Sequence, residues 1–179
     1  MNSEHQAERD CWITNALSEY ESSLVRYVLS LVGDINIARE IVQEAFLRLC
    51  SQPQDEVASH LKSWLFRVSR NAAIDYLRKE KRMQSTETAA IDQWASTMDE
   101  DSVDRREQAQ SLAKQVSQLP ANQQEVLRLR FENQLSYQQI AEVTGHTKTN
   151  VGFMLHTAIK RLRKSLLPEI SNQGLQGSS

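Results

Sequence analysis

Leu135–Ser165, reading LSYQQIAEVTGHTKTNVGFMLHTAIKRLRKS, is the stretch that decides the fold. It opens as a short apolar-sided helix in which Ala141 is small enough to let a second helix approach. Gly145, four residues on, supplies the backbone freedom of a sharp turn. The Thr147 hydroxyl can cap the next helix, and Val151 and Leu155 are expected to face back onto Ile140 and Ala141. This is the spacing of a helix-turn-helix, whose second helix sets its first turns into the major groove of duplex DNA. Thr147, Lys148, Thr149, Gly152, Phe153 and His156 then project toward base edges: Lys donates to guanine, Thr donates or accepts, and Phe meets a thymine methyl. Gly152 costs a helix about 1 kcal/mol relative to Ala, so a close backbone approach is one reason for it. Lys160, Arg161, Arg163 and Lys164 suit phosphates, or simply the negative end of the helix dipole. The plainer alternative is a generic helical hairpin with a Gly turn. Spacing and charge together favour DNA.

The 179 residues suffice for one domain or two small ones, and 40% hydrophobic residues can fill cores. Only 5 Gly and 3 Pro favour helices over a turn-rich β fold. No apolar run is long enough to span a membrane, and the polar, acidic start MNSEHQAERD lacks a signal-peptide core. A cytoplasmic protein without membrane insertion is expected. Cys11 and Cys50 form no Cys-x-x-Cys pair and read as buried structural thiols. His5, His60, His146 and His156 have no ligand spacing, so neither a metal nor a cofactor is expected.

A net charge of −2 hides strong local alternation. Residues 1–60 sum to −6, 61–82 to +5, 83–120 to −4, 121–144 to −1 and 145–179 to +4. Local sign, not the total, decides where phosphates can bind. Periodicity gives helices over Trp12–Val32, Ile37–Cys50 (after a Gly33-Asp34 break, with Asp34 or Asn36 as cap) and Leu61–Lys81. Ser51–Ser59, with Pro53, reads as a loop. On the third helix, Leu61, Trp64, Leu65, Val68 and Ala72 form the core stripe, widened by Phe66, Ala73 and Leu77. Gln84–Asp104 loses periodicity and reads as an acidic linker; its Trp94 is either a docking aromatic or part of a transient helix. Helicity resumes near Arg105, Pro120 starts a helix over Ala121–Glu132, and Tyr137–Val143 and Lys148–Leu167 form the helix-turn-helix. Ser171–Ser179 reads as a frayed tail. The expected fold is all-α: two helical domains joined by a flexible acidic linker. The boundaries are 10–82, a linker at 83–108, a helix-turn-helix domain at 109–168 and a tail at 169–179.

The second basic island, SWLFRVSRNAAIDYLRKEKR (Ser63–Arg82), is apolar early and basic late. Alone it reads equally well as a core helix with a solvated end. Together, Arg67, Arg70, Arg78, Lys79, Lys81 and Arg82 for phosphates, Asn71 for bidentate bonding, and Trp64 and Tyr76 for stacking or packing are the residue types of a platform for unstacked DNA. In DINIAREIVQEAFLRL (Asp34–Leu49), one side packs inward and the other presents Arg39, Glu40, Gln43, Glu44 and Arg48, a face that demands no partner by itself.

In this order the three motifs resemble the small two-domain sigma factors of bacterial RNA polymerase, the extracytoplasmic-function type of the sigma-70 family. Asp34–Leu49 is similar to their polymerase-binding helix. Trp64, Leu65, Val68, Asn71, Asp75, Arg78 and Lys79 match their W-L-x-x-I-A-x-N-x-x-x-D-x-x-R-K signature. Leu119-Pro120 and the following QQEVLRLRFENQLSYQQIAEVTG resemble the start of their second domain. The resemblance spans roughly residues 10–168. It implies a promoter-specificity subunit without catalysis. Ile35, Arg39, Val42, Gln43, Glu44 and Phe46 would grip a coiled coil of the polymerase β′ subunit, with the β flap as a second polymerase contact. Asn71, Asp75, Arg78, Lys79, Lys81 and Arg82, with the Ser51–Ser59 loop, would hold the melted −10 element, and residues 137–156 would read the −35 duplex. An anti-sigma factor would mask these faces, and the linker would thread toward the polymerase active-site channel. Two departures stand out. The family's Val-Lys-Ser-Arg-Leu-type run is Val151-Gly152-Phe153-Met154-Leu155 here, two bases fewer, and Ser51–Ser59 lacks aromatics.

Two rival readings carry their own signatures. A stand-alone helix-turn-helix regulator binds a palindromic duplex tightly as a dimer. A helical adaptor with a basic face binds DNA weakly and without sequence preference. An enzyme is the poorest fit: no nucleophile–base pair, Gly-rich phosphate loop or ligand cluster is present in the sequence. The second basic island discriminates, since a simple repressor has no use for Asn71 and Arg78–Arg82 on a separate domain.

Overall fold

Gly33, at φ +77°, stops the first helix in a left-handed residue that only glycine adopts cheaply. Asp34 starts the second by accepting from the Asn36 and Ile37 amides at 2.7 and 3.2 Å. The computed structural model describes residues 2–83 and 103–173, with side chains over 8–83 and 109–165. Among these residues every element is helical: α1 (Asn2–Val32), α2 (Ile35–Cys50), α3 (Gln54–Val57) with a 3-10 turn at Ala58–His60, α4 (Leu61–Met83), α5 (Val103–Ser117), α6 (Ala121–Leu127), a wide π-type turn at Arg128–Glu132, α7 (Tyr137–Thr144) and α8 (Lys148–Gln173). The described residues divide into two compact units, the first within Met1–Ile91 and Gln138–Gly145, the second within Asp92–Tyr137 and His146–Ser179.

In the first unit α1, α2 and α4 pack on one another. Leu24, Tyr27 and Val28 meet a core that α2 supplies with Ala38, Ile41, Val42, Ala45, Phe46 and Leu49, all buried. The Tyr27 and Phe66 rings lie 5.3 Å apart at a 51° tilt, an arrangement that contributes about 1 kcal/mol beyond area burial. Arg9 donates from Nη2 to the Cys50 and Gln52 carbonyls, both at 2.7 Å, and so satisfies acceptors at the end of α2 that have no helical partner.

Several sequence expectations shift. The buried side of α4 is Ser63, Leu65, Phe66, Ser69 and Ala73, while Trp64, Val68 and Ala72 are only half-buried. The stripe is turned toward two serines that hydropathy counts as polar. Serine is small enough to let helices close, and Ser63 Oγ donates to the His60 carbonyl at 3.0 Å. Cys11 and Cys50 are exposed, not buried. Cys11 lies nearly half a turn off the buried Ala16 side of α1, and Cys50 is the last residue of α2. The expected Ser51–Ser59 loop contains α3, α1 begins at Asn2, well before Trp12, and α8 continues to Gln173. Of the expected linker, residues 84–102 with Trp94 lie outside the described residues, and 103–108 already belong to α5.

In the second unit Pro120 opens α6, its carbonyl accepting from the Gln123 and Gln124 amides. The Gln124 amide side chain donates back to the Ser117 and Leu119 carbonyls at 3.1 and 2.8 Å, which closes the end of α5. After the wide turn, the Arg128 carbonyl accepts from both the Asn133 amide and Asn133 Nδ2 at 3.1 Å. Gln134 takes a left-handed φ of 55°. Both α5 and α6 pack against α8, with Val126, Leu127, Leu129, Val151, Leu155 and Ala158 buried.

Two glycines give opposite expectations. A Cβ at Gly145 meets nothing within 4 Å, but its φ is +75°, so Gly145→Ala loses about 1 kcal/mol through the backbone alone. Gly152 lies inside α8, and a Cβ there meets only ordinary contacts, so Gly152→Ala gains about 1 kcal/mol of helix propensity. Urea unfolding followed by circular dichroism checks both; shifts of the same sign contradict this account.

Candidate nucleic-acid interface

On α4, Asn71, Asp75, Arg78 and Arg82 recur at helical spacing and form one stripe. It runs along the side opposite the buried Leu65, Phe66, Ser69 and Ala73, and all four residues are exposed. Lys79 and Lys81 are exposed on its two flanks. Asp75 and Arg78 face each other at 3.6 Å, both well solvated. A surface pair of this kind contributes little and opens readily for a phosphate. Tyr76 is half-buried, and burial followed by the charges of Glu80, Asp34 and Glu40 pushes its phenol above the ordinary value. The side of α4 carrying Tyr76 is therefore acidic in influence, while the stripe itself is basic.

On α8, Thr149, Phe153, His156 and Lys160 form the equivalent stripe opposite the buried Val151, Met154, Leu155 and Ala158. Phe153 is 68% exposed, so its ring is available to whatever meets this stripe. Thr147 caps the helix, its Oγ1 accepting from the Asn150 amide at 3.2 Å. Lys148 flanks one side of the stripe. Arg161 flanks the other and donates to Gln123 Oε1 of α6 at 3.4 Å, so it serves packing as well as charge. Gly152 is half-exposed beside the stripe. The first stripe offers cations and an amide to a single strand, and the second offers a cation, hydroxyls and an aromatic to base edges.

The six residues expected to bind the polymerase divide. Ile35, Arg39, Gln43 and Glu44 are exposed, whereas Val42 is 2% and Phe46 6% exposed. Arg39, Val42, Gln43 and Phe46 line a groove of about 760 Å³ between α1 and α2, with Val42 and Phe46 contributing to the core beneath it. Ile35 and Glu44 are outside its lining. Sequence reasoning passed over Leu47, which is 62% exposed at this groove and is the most exposed large apolar residue of α2. Its position off the apolar stripe was the available signal. Arg130, outside every expected set, meets Tyr137 of the expected duplex-reading residues 137–156, whose ring edge lies 3.6 Å from a Cβ built on Gly152. The Arg130 guanidinium lies 5.5 Å over the Tyr137 ring, and Arg130 Nη1 donates to the Leu135 carbonyl at 2.9 Å. Among the described residues no group of three or more His, Cys, Asp or Glu side chains could hold a metal ion, and no helix is long and apolar enough to cross a membrane.

Comparison with known proteins gives the family. Residues 16–83 match the family model of sigma-70 region 2, and residues 109–162 match that of sigma-70 region 4. The ECF RNA polymerase sigma factor SigL of Mycobacterium tuberculosis is 34% identical over 83% of this chain and 85% of its own length. The ECF RNA polymerase sigma factor SigM of Bacillus subtilis is 29% identical over 80% of this chain and 88% of its own. The sigma factor RpoE of Bartonella quintana, solved in complex with the anti-sigma factor NepR, shares the fold at a TM-score of 0.63 and 24% identity, over 86% of this chain and 95% of that one. With region 2 matched across α1 to α4, region 4 matched across α5 into α8, and a relative at 34% identity over most of both chains, the chain belongs to the extracytoplasmic-function sigma factors, promoter-recognition subunits of bacterial RNA polymerase.

Proposed function

We propose that the two basic stripes divide promoter recognition between them. Asn71, Asp75, Arg78, Lys79, Lys81 and Arg82 take the −10 element as separated strands. Thr147, Lys148, Thr149, Gly152, Phe153, His156, Lys160 and Arg161 read and hold the −35 duplex. The functional modules are residues 10–82 and 109–168, with 83–108 connecting them and 169–179 as a tail. The observation that carries this reading is that each stripe lies directly opposite a buried core stripe, so both are held outward on rigid helices. Unstacking a few bases costs on the order of a few kcal/mol, and polymerase binding offsets it. That binding uses Arg39 and Gln43 with Leu47 at the α1–α2 groove, and Ile35 and Glu44 beside it. The β′ coiled coil and the β flap are the polymerase elements engaged. The bond-making chemistry is the polymerase's; this chain supplies no catalytic group and works where polymerase and chromosome meet, in the cytoplasm. RpoE's complex with NepR supports an anti-sigma partner for this chain as well.

Transcription from a promoter-fragment library by bacterial core polymerase, with and without the protein, tests the assignment. Protein-dependent initiation at fragments sharing −35 and −10 elements is expected. No initiation, with dimeric binding to palindromic duplex by the protein alone, overturns it. Lys148→Ala with Thr149→Ala relaxes −35 discrimination by about 1–3 kcal/mol per lost base contact, read as flattened base preference in the same library; an unchanged preference removes these residues from the readout. Gln43→Ala and Leu47→Ala each weaken polymerase affinity in a titration with labelled protein while leaving the free energy of unfolding within about 0.5 kcal/mol of the parent. Wild-type affinity in both variants removes the groove from the interface.

A further inference from the structure

Arg9 reaches from α1 to the end of α2. Its Nη2 donates to the Cys50 and Gln52 carbonyls, both at 2.7 Å, across 41 and 43 residues of sequence. Nη2 carries two hydrogens, so each carbonyl takes one, and both bonds are charge-assisted. Capping α2 accounts for the Cys50 bond but not for the Gln52 bond, because Gln52 lies past the helix end. Beyond that end the chain runs as Ser51–His60 into α4. The Ser51 and Gln52 amides are tied back to the Arg48 and Leu49 carbonyls, each at 3.1 Å. Val57, 3% exposed, is the buried anchor of the segment. The His60 carbonyl accepts from Ser63 Oγ at 3.0 Å as α4 begins. Arg9 adds the tie that joins the start of this segment to α1.

The segment that Arg9 fixes stands at one end of α4's outward row. That row advances by steps of four and three residues from Asn71 through Asp75 and Arg78 to Arg82. Counted back from Asn71 by the same steps, it passes the exposed Arg67 and the half-buried Trp64. It then leaves the helix at the exposed His60, where the segment joins. A single strand laid along the row therefore meets Ser51–His60 at its end. Ser51–Ser59 has no aromatic side chain to stack on a base. It can act on one through hydrogen bonds, from its backbone and from side chains such as Gln52, Gln54 and Ser59. Stacking accepts the face of any base, whereas a hydrogen bond selects among base edges and weakens steeply once distance or angle is off. Selection of that kind needs a segment held in place from its start.

We propose that Arg9 is a positioning residue for −10 selectivity: by clamping the start of Ser51–His60 to α1, it sets where that segment meets the unpaired base at the α4-start end of the row. The inference rests on the reading of α4's row as the holder of the separated −10 strand. Its consequence is that one position of the element is governed by a side chain that touches no DNA.

The test is transcription by bacterial core polymerase with the full chain, from a library randomised across the −10 element, together with amide hydrogen exchange on the free chain. Arg9→Ala lowers the preference at one terminal position of the element by about tenfold, within what a single base position contributes. The other −10 positions and the −35 preference stay as in the parent. In the same variant the Ser51 and Gln52 amides exchange faster, while the α4 amides exchange as before. Arg9→Lys keeps a cation with donors at this place and recovers part of the lost preference. Asn71→Ala is the control for the row itself and flattens the −10 preference on its own. Parent-like preference in Arg9→Ala, with Asn71→Ala flattened, overturns the positioning role and leaves the row standing. An equal loss at every −10 position in Arg9→Ala also overturns it, because that is the mark of general destabilisation. Parent-like exchange at Ser51 and Gln52 overturns the clamp. Parent-like preference in Asn71→Ala overturns the reading of the row, and the inference with it.

Discussion

Each helix that buries one side surrenders the freedom to choose what its other side shows. Once Leu65, Phe66, Ser69 and Ala73 enter the core, the 3.6-residue period sends Asn71, Asp75, Arg78 and Arg82 outward in a row. The same constraint on α8, through Val151, Met154, Leu155 and Ala158, produces the row of Thr149, Phe153, His156 and Lys160. Neither row needs contacts of its own to be straight or rigid. Burial on the far side supplies the order, and the polar residues inherit it.

That constraint also explains how much was legible in the residues. Helix existence, the Asp34 cap, the Pro120 start and the Gly145 turn follow from local chemistry, and the structure has them. The family resemblance rested on residues at fixed helical spacing, which periodicity preserves. Burial was harder to read wherever size outweighed polarity. Ser63 and Ser69 sit in the core because they are small, and Trp64 stays half out because it is large. Cys11 and Cys50 had apolar neighbours along the chain, yet burial depends on neighbours across helices. Of the residues expected to contact the polymerase, Val42 and Phe46 are largely core, while Leu47, off the expected stripe, is the apolar group of α2 that solvent reaches most. The ring of Tyr137 on Gly152 depends on two elements meeting in space, and no one-dimensional pattern encodes that.

The electrostatic layout follows a similar division. Carboxylates dominate residues 1–60 and 83–120, and bases are concentrated at the ends of α4 and α8. Even around Tyr76 the acidic influence of Glu80, Asp34 and Glu40 lies toward α2, away from the outward stripe. Such segregation makes the acidic segments unfavourable to a phosphate backbone and leaves two stretches whose charge favours one. At physiological ionic strength each charge acts over about 8 Å, so the two stripes operate as local sites and not as one diffuse basic field.

The wide turn at Arg128–Glu132 fixes the number of residues in its corner. A π-type turn is an α-helix carrying one residue more than its regular period accommodates. Here the surplus is absorbed by the Arg128 carbonyl, which accepts twice from Asn133, and by Gln134 in the left-handed region. Losing one residue from this corner would remove that surplus together with the Arg128–Asn133 closure, and the chain would have to reach α7 by another path. Length at this corner is therefore set by geometry, whereas residue identity matters only where a side chain or a left-handed backbone closes the turn.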